Sequence, residues 1–203
     1  MRIFIIGVTG RAGSRIAAEA LARGHAVGGL ARNAGPGQAP DGVVLVQGDA
    51  RIYDRLPDLV RGHDAVVVAS FLRDLFAEFL AGAVGRGGVN RLFIVGGAAS
   101  LEFAPGRLLL DLPDFPELYR PEAEGAKRFL DDLRAIDTLD WSYLSPAAEF
   151  EPGERTGRFR LGGDALLTDA EGRSRISMED YAIAALDELE APSHLRQRYS
   201  IAY

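Results

Sequence analysis

Short, unbroken runs of apolar residues alternate along this chain with segments in which apolar residues recur every three or four positions. Such runs are typical of strands buried on both faces of a parallel sheet, and the intervening periodicity is typical of the helices that cover one. We therefore predict an α/β fold with a predominantly parallel sheet and helices on both faces. The predicted strands are 3–6, 26–31, 43–47, 65–69, 92–95, 139–144 and 198–203, and later helices are predicted at 52–60, 72–86, 123–135 and 178–190.

The first predicted strand leads into the turn GVTGRAG, in which glycines stand three positions apart, and then into a helix that ends near Gly24. The first glycine permits a tight turn, the second lets the backbone approach a phosphate, and the third lets the helix pack against the strand. Free N–H groups at the helix start favour an anion. This layout predicts a Rossmann-type, doubly wound dinucleotide-binding fold, the alternative being a strand, turn and helix without a ligand. The candidate cofactor contacts in the turn are Gly7, Thr9, Gly10, Arg11, Ala12 and Gly13.

The residue that follows the second predicted strand bears on the choice of cofactor. An NAD-selective site usually has an Asp or Glu about 20 residues past the turn, where it binds the ribose 2′-hydroxyl. This chain has Arg32 there, and a guanidinium pairs with a 2′-phosphate that a carboxylate would repel. Arg11 can add a second positive charge, so we predict NADP(H) in preference to NAD(H). Alternatively, Arg32 is a solvated loop residue that stacks on the adenine and accepts either cofactor.

The glycine turn and several later segments carry a family resemblance. GVTGRAG after an N-terminal strand resembles the turn of the atypical, or extended-type, short-chain dehydrogenase/reductases. The closer resemblance is to the small NAD(P)H-binding group that includes NmrA-like proteins, biliverdin/flavin reductases and NADH-flavin reductases. It covers nearly the whole chain and is also carried by VGGAASLEFAPG, LDLPDFPELY, LDWSYLSPAAEFEPGERTG and LGGDALLTDAEGRSRISMEDYAIAALDELE.

This resemblance implies further cofactor contacts at the ends of later strands. An aspartate after the third strand would contact the adenine amino group, although Asp49 also suits the N-cap of the predicted helix 52–60. Backbone after the fourth strand would line the ribose and nicotinamide, and a proline-led segment after the sixth would pass beside the nicotinamide. The implied contacts are Gly48, Asp49, Ala69, Ser70, Phe71 and Pro146.

The fifth predicted strand runs into GGAAS, whose small residues permit a flat nicotinamide ring to lie against the backbone. Gly96 and Gly97 are therefore candidate cofactor contacts. In typical short-chain dehydrogenases a serine near this position binds the substrate carbonyl, which makes Ser100 a weak catalytic candidate. The alternative for Ser100 is a helix or turn cap.

The chain departs from those enzymes in its acid–base residues. Their acid is a tyrosine four residues before a lysine, whereas here the only lysine is Lys127 and position 123 is Ala123. Tyr119 is eight residues from Lys127, or about 12 Å along a continuous helix. The sequence therefore predicts that the Tyr/Lys pair is missing, and Tyr119 remains a weak candidate for stacking on or hydrogen-bonding a ligand.

Loss of that pair favours hydride transfer to a flavin, quinone or similar conjugated acceptor, which accepts hydride at a ring position and can take a proton from water. It equally suits a non-catalytic NADP-binding sensor, as NmrA-like proteins can be. A third possibility is an atypical epimerase or dehydratase that uses Ser100 with an unidentified acid.

Composition narrows the function classes. The 203-residue chain is 47% apolar and has a net charge of −6, so we expect one domain, 1–203, and no nucleic-acid partner. There is no cysteine, and the three histidines are scattered, which argues against a metal site. No apolar run approaches the roughly 20 residues that span a bilayer, and no signal peptide precedes the first strand. These features predict a cytoplasmic protein without a membrane partner.

Three remaining segments carry weaker predictions. Residues 33–42 are a loop rich in glycine and proline. The apolar, proline-punctuated segment 101–120 is expected to cover the active site or to join a homodimer contact. Residues beyond about 145, with extended pieces at 156–161 and 165–169, are expected to form a small substrate-side lobe.

Overall fold

A computed structural model describes residues 1–35 and 37–203; position 36, in the predicted loop 33–42, lies outside the described residues. Strands and helices alternate through most of the chain. The strands are β1 (Arg2–Ile6), β2 (Ala26–Ala31), β3 (Val44–Gln47), β4 (Ala65–Val68), β5 (Arg91–Val95), β6 (Glu102–Ala104), β7 (Arg107–Leu108), β8 (Asp140–Ser145), β9 (Glu149–Glu151), β10 (Arg160–Gly162), β11 (Arg175–Ser177) and β12 (Gln197–Ala202). The helices are α1 (Arg11–Ala22), α2 (Leu56–Val60), α3 (Ala77–Arg86), α4 (Arg120–Leu133) and α5 (Met178–Glu190), with 3₁₀ turns at Leu72–Asp74 and Leu109–Asp111.

The main sheet has the order β10-β12-β8-β5-β4-β1-β2-β3, and its strands are parallel except at the antiparallel pair β10–β12. The chain proceeds from β1 towards the β3 edge and then returns to β4 on the other side of β1. The crevice at the carboxyl ends of β1 and β4 is where an open α/β sheet binds its ligand. The predicted Rossmann-type, doubly wound, mostly parallel sheet is therefore confirmed.

Side chains of β1 alternate between two buried cores, one on each face of the sheet. Ile3 and Ile5 pack into the core that α1 and α5 cover, whereas Phe4 and Ile6 pack into the core beneath α2, α3 and α4. Both faces are buried, which explains why the strands appear in the sequence as continuous apolar runs rather than as alternating ones.

Two predicted helices differ from the observed ones. The first, 52–60, forms only from Leu56 onward. The second, 72–86, is interrupted by the extended residues Leu75 and Phe76. Hydrogen bonds from distant residues stabilise this interruption. The Phe76 N–H donates to Tyr53 Oη at 3.0 Å, and Arg128 donates to the Leu75 carbonyl at 2.9 Å.

Most of the region beyond residue 145, in which the sequence predicts a small substrate-side lobe, lies in the main sheet or packs against it. β12 extends the main sheet beside β8, β10 pairs with β12, and α5 packs against α1. Burial of Tyr199, Ile201 and Ala202 in the sheet explains this outcome. From these residues only Ala148 and Met178 line the large cavity described below.

Candidate functional site

A cavity of about 1060 Å³ opens at the carboxyl ends of β1, β2, β4 and β5. Ligand pockets usually measure roughly 300–1,000 Å³, so this one is large enough for an extended ligand. Most of the residues predicted from the sequence to contact the cofactor line it. They are Gly7, Thr9, Gly10, Arg11, Ala12, Arg32, Gly48, Asp49, Ala69, Ser70, Phe71, Gly96 and Gly97.

The glycine turn after β1 depends on the absence of side chains. Gly7 has φ +85°, and a Cβ there would overlap the carbonyl group of Ala69. A Cβ on Gly13 would overlap the carbonyl group of Gly7, so Gly13 packs the turn against α1 without lining the cavity. The turn is closed by a hydrogen bond from the Gly10 N–H to the Gly7 carbonyl at 2.9 Å.

The start of α1 fits a diphosphate. Gly10 is the N-cap, no side chain caps this end, and the first turn contains no acidic residue. The first N–H groups of a helix have no partner within the helix and carry about half a positive charge. A bound phosphate group would supply the missing acceptors. The turn and helix therefore have the backbone that a dinucleotide requires.

Arginines gather at the end of the cavity where β2 and β3 terminate. Arg51 lines the cavity beside Arg32, and its Nε lies 3.0 Å from both carboxylate oxygens of Asp49. The hydrogen bonds from Arg51 lower the pKa of Asp49 to about 2. Asp49 is thus paired with Arg51 and is not the N-cap of a helix, because α2 begins only at Leu56. The sequence analysis missed Arg51.

Arg11, the second arginine considered for the 2′-phosphate, is the first residue of α1 and lines the cavity. Its guanidinium forms an exposed ion pair with Glu151 of β9. The strand that follows Pro146 therefore supplies the partner of an arginine in the glycine turn. Pro146 itself is buried and is not among the lining residues, although Ala148 is.

At the end of β5, backbone is exposed to the cavity because a buried tyrosine fills the space behind it. A Cβ on Gly96 would overlap the ring of Tyr143, and the Tyr143 hydroxyl accepts a hydrogen bond from the Gly97 N–H at 3.2 Å. Burial raises the pKa of Tyr143 to about 12, so it stays neutral. The sequence indicated the two glycines but not the tyrosine that requires one of them.

The segment predicted to cover the active site does line the cavity. It begins with the hairpin of β6 and β7 and continues to α4, presenting mostly apolar and aromatic side chains. Arg120 lies over the ring of Phe115, with its guanidinium carbon 5.5 Å from the ring centre. The cavity-lining residues of this segment are Leu109, Leu112, Asp114, Phe115, Pro116, Leu118 and Tyr119.

Ser100 does not line this cavity, so the structure does not support its predicted contact with a substrate carbonyl. It is buried and borders a separate cleft of about 180 Å³ that also includes Lys127 and Asp131. The Lys127 ammonium pairs with Asp131 at 2.7 Å and is not part of the cavity lining. Tyr119 does line the cavity, with 61% of its surface exposed, but no lysine accompanies it there.

Glu122, near the start of α4, was missed by the sequence analysis because acidic residues are common in the first turn of a helix. It lines the cavity, and its Oε1 accepts a hydrogen bond from the Leu72 N–H at 2.8 Å. Its Oε2 is buried and has no hydrogen-bond partner among the described residues; the nearest cation, Arg73 Nε, is 3.9 Å away. Burial raises the pKa of this carboxyl group.

Within residues 1–35 and 37–203 no helix is long and apolar enough to cross a membrane. In the same part of the chain, no three His, Cys, Asp or Glu side chains converge as metal ligands would.

Comparison with known proteins agrees with this geometry. A putative exported protein from Burkholderia pseudomallei is 40% identical, with a TM-score of 0.89 over 100% of both chains. A putative epimerase from Bacteroides thetaiotaomicron is 37% identical, with a TM-score of 0.92 over 100% of this chain and 96% of the other. A putative NADH-flavin reductase from Streptococcus pneumoniae TIGR4 is 34% identical, with a TM-score of 0.85 over 100% of this chain and 99% of the other.

The model of the NAD(P)H-binding family matches residues 7–192, from the first glycine of the turn almost to the end of the chain. This match spans α1, the arginine-rich end of the cavity, the two glycines after β5 and α5. The protein therefore belongs to the NAD(P)H-binding family of Rossmann-type proteins.

Proposed function

We propose that this protein is an NADPH-dependent reductase that brings the nicotinamide together with a flat conjugated acceptor, a flavin or a quinone. The observation that carries the proposal is the shape and lining of the cavity. It continues from the backbone of Gly96 and Gly97 to a wall that includes Phe71, Phe115 and Tyr119. An apolar, aromatic wall suits a planar ring, and the relative from Streptococcus pneumoniae is described as a putative NADH-flavin reductase.

The bound cofactor supplies the hydride in such a reaction. The chain supplies position: the turn at Gly7 and Gly10 would hold the diphosphate, and the side-chain-free backbone of Gly96 and Gly97 would support the flat ring. The segment from Leu109 to Tyr119 lines the cavity and would lie beside the two rings. Holding two rings in contact is itself an effective source of rate enhancement, so little acid–base machinery is needed for hydride transfer.

We propose further that NADPH is preferred over NADH. The charges at the β2–β3 end support this preference, because Arg32 and Arg51 both line the cavity there and Asp49 is already paired with Arg51. A 2′-phosphate would meet two guanidinium groups without an unpaired carboxylate between them. Arg11 is a third positive group if its ion pair with Glu151 opens.

Two other functions remain in competition. A non-catalytic sensor would bind the cofactor in the same turn but would not reduce an acceptor. An epimerase, as the Bacteroides relative is described to be, would need an acid and a base at the substrate. Ser100 lies outside the cavity, which removes one residue from that scheme.

We also propose that the protein is cytoplasmic and forms a homodimer, with the apolar segment 101–120 as the contact between the two copies.

The test combines binding with turnover. Calorimetry should give a lower dissociation constant for NADPH than for NADH, and NADPH oxidation should accelerate on addition of FMN, riboflavin or 1,4-naphthoquinone. The variant G10A should lose cofactor affinity, because its methyl group would occupy the space in which phosphate approaches the backbone. The matched control G163A adds a methyl group where no atom lies within 4 Å and should behave as wild type. Tight NADPH binding without reduction of any acceptor would favour the sensor.

A further inference from the structure

The carboxyl group of Glu122 combines three properties that no other acidic side chain of the cavity shares. It lines the cavity, one of its oxygens is fixed by the Leu72 N–H, and the other is buried without a hydrogen-bond partner among the described residues. Asp49 is paired with Arg51, and both Asp74 and Asp114 are exposed. A buried, unpaired carboxylate oxygen is costly, because it has given up water without gaining a donor.

A proton on Oε2 removes that cost. The charged groups near the Glu122 carboxyl do not strongly stabilise its anionic form. Arg73 Nε is 3.9 Å from Oε2, Asp74 adds a like charge nearby, and Arg128 is engaged with the carbonyls of Arg73 and Leu75. Tyr143, on the adjoining strand β8, is neutral. Burial is the largest influence and raises the pKa of Glu122, although the backbone N–H groups of Leu72 and Arg73 act in the opposite direction.

The position of Glu122 on α4 places its carboxyl group at the wall of the cavity. The residues of α4 proper that line the cavity are Glu122, Ala123 and Ala126, and the first and last of these are four residues apart. No basic side chain of α4 lines the cavity beside Glu122, because Ala123 and Ala126 carry no charge and Lys127 is paired with Asp131.

We propose that Glu122 donates the proton that completes reduction of the acceptor, and that the acceptor is a quinone whose carbonyl oxygen meets the Glu122 carboxyl. This inference rests on the proposed reductase function. The quinone gains a hydride from the bound reduced nicotinamide and becomes the hydroquinone monoanion. The Glu122 side chain then turns Oε2 from its buried position towards the cavity, its O–H bond breaks, and the proton bonds to the anionic oxygen. The products are a hydroquinone and oxidised cofactor, and the Glu122 carboxylate recovers a proton from solvent.

The chemistry of the acceptor explains the choice of a quinone. The monoanion formed from a quinone is a phenolate, and phenols have a pKa near 10, so it requires a proton at neutral pH. A reduced flavin delocalises its negative charge over the ring system and needs no such donor. An acid in the cavity wall therefore matters for the first class of acceptor and much less for the second.

The test uses the full chain and the variants E122Q and E124Q. Glutamine at 122 keeps an oxygen for the Leu72 N–H but has no acidic proton, and Glu124 is an exposed neighbour on the same helix that does not line the cavity. With 1,4-naphthoquinone we expect E122Q to lower kcat about 100-fold, the usual scale of general-acid catalysis. NADPH affinity and thermal stability should change little, the rate with FMN should fall by a much smaller factor than the quinone rate, and E124Q should match wild type.

A second measurement does not depend on turnover. Infrared difference spectra of wild type with oxidised cofactor should show the carbonyl stretch of a protonated carboxyl group, and this band should shift when 1,4-naphthoquinone is added. Both the band and its shift should be absent in E122Q and present in E124Q. Equal quinone rates in E122Q and wild type, or a band that the quinone does not move, would overturn the role of Glu122 while the reductase function stands. Absence of turnover with every acceptor would instead refute the reductase function.

Discussion

The ring of Tyr143 fills the space that a side chain at Gly96 would need, so the end of β5 faces the cavity as bare backbone. Tyr143 is fully buried on the neighbouring strand β8, and its hydroxyl also accepts the Gly97 N–H. A large side chain on one strand thus requires a glycine on the next. This arrangement leaves the cavity flat at the place where the proposal puts the nicotinamide.

Substitution of Gly96 by alanine should therefore destabilise the fold. The added methyl group would come within 3.0 Å of several atoms of the Tyr143 ring, and inserting a methyl into a packed core typically costs about 1–3 kcal/mol. Urea unfolding of G96A should show a lower midpoint with an unchanged slope. G97A is the control, because its methyl group would meet only Ala126 Cβ at 3.7 Å; its stability should be normal, while cofactor affinity falls. Equal stability of G96A and wild type would contradict this account of the packing.

The centre of the sheet was predictable because its strands are buried on both faces, so that runs such as 3–6 and 92–95 have no polar interruption. The helix α5 was predictable from its first turn, where Ser177 accepts the Asp180 N–H at 3.0 Å. Both signals come from residues that are neighbours in sequence. The break in the predicted helix 72–86 has no such local signal, because it depends on hydrogen bonds with Tyr53 and Arg128, which are distant along the chain.

The same distinction applies to the candidate site. The glycine turn and the residues at strand ends were predictable, since the carboxyl ends of parallel strands meet at one edge of the sheet. Ser100 lies only a few residues past β5, but the chain has by then turned towards a separate cleft. Glu122 reaches the cavity through the packing of α4, for which a single polar residue in a polar stretch gives no sequence signal. Arg51 lies in the loop directly after β3, but nothing in the sequence distinguishes it from a solvated arginine.

Cofactor preference should depend on the two arginines at the β2–β3 end. We expect R32A and R51A each to raise the dissociation constant of NADPH about tenfold or more, since a hydrogen bond to a charged group contributes roughly 1.5–3 kcal/mol. The dissociation constant of NADH, which lacks the phosphate, should change much less. Calorimetric titration with both cofactors measures the difference. R61A is the control, because Arg61 is exposed, pairs with Asp58 and does not line the cavity. A parallel loss for both cofactors would argue against contact with the 2′-phosphate.

The N-cap of α5 makes a separate prediction about stability. Ser177 Oγ accepts the Asp180 N–H and donates to the Glu154 carbonyl at 2.8 Å, so S177A removes both bonds. Loss of a serine N-cap costs about 1 kcal/mol, within a range of about 0.5–2. Thermal or urea unfolding should show this loss, whereas S14A, whose hydroxyl makes only one longer bond of 3.3 Å within α1, should lose little. A change in S14A as large as that in S177A would argue against a capping role.

The buried carboxylate of Glu188 predicts a pH-dependent contribution to stability. It is 4% exposed and accepts hydrogen bonds from Arg91, Ser142 and His194. Burial acts to raise the pKa of Glu188, but the hydrogen bonds from His194 and Ser142 outweigh it, so that the pKa is lowered overall. A carboxyl group with a lowered pKa stabilises the folded state above its unfolded value of about 4.3, and that contribution is lost as the pH falls through the folded pKa.

The variant E188Q should therefore be much less stable than wild type at neutral pH. Its amide cannot neutralise Arg91, and removing one partner of a buried ion pair typically costs about 3–5 kcal/mol. The free energy of unfolding from urea titrations should differ by that amount near pH 7, and the difference should shrink as the pH falls below the unfolded pKa of about 4.3 and through the lowered pKa of folded Glu188. E117Q alters a glutamate whose side chain is 82% exposed and should stay within about 0.5 kcal/mol of wild type throughout. A difference between E188Q and wild type that did not vary with pH would mean that shape, and not charge, is what Glu188 contributes to the core.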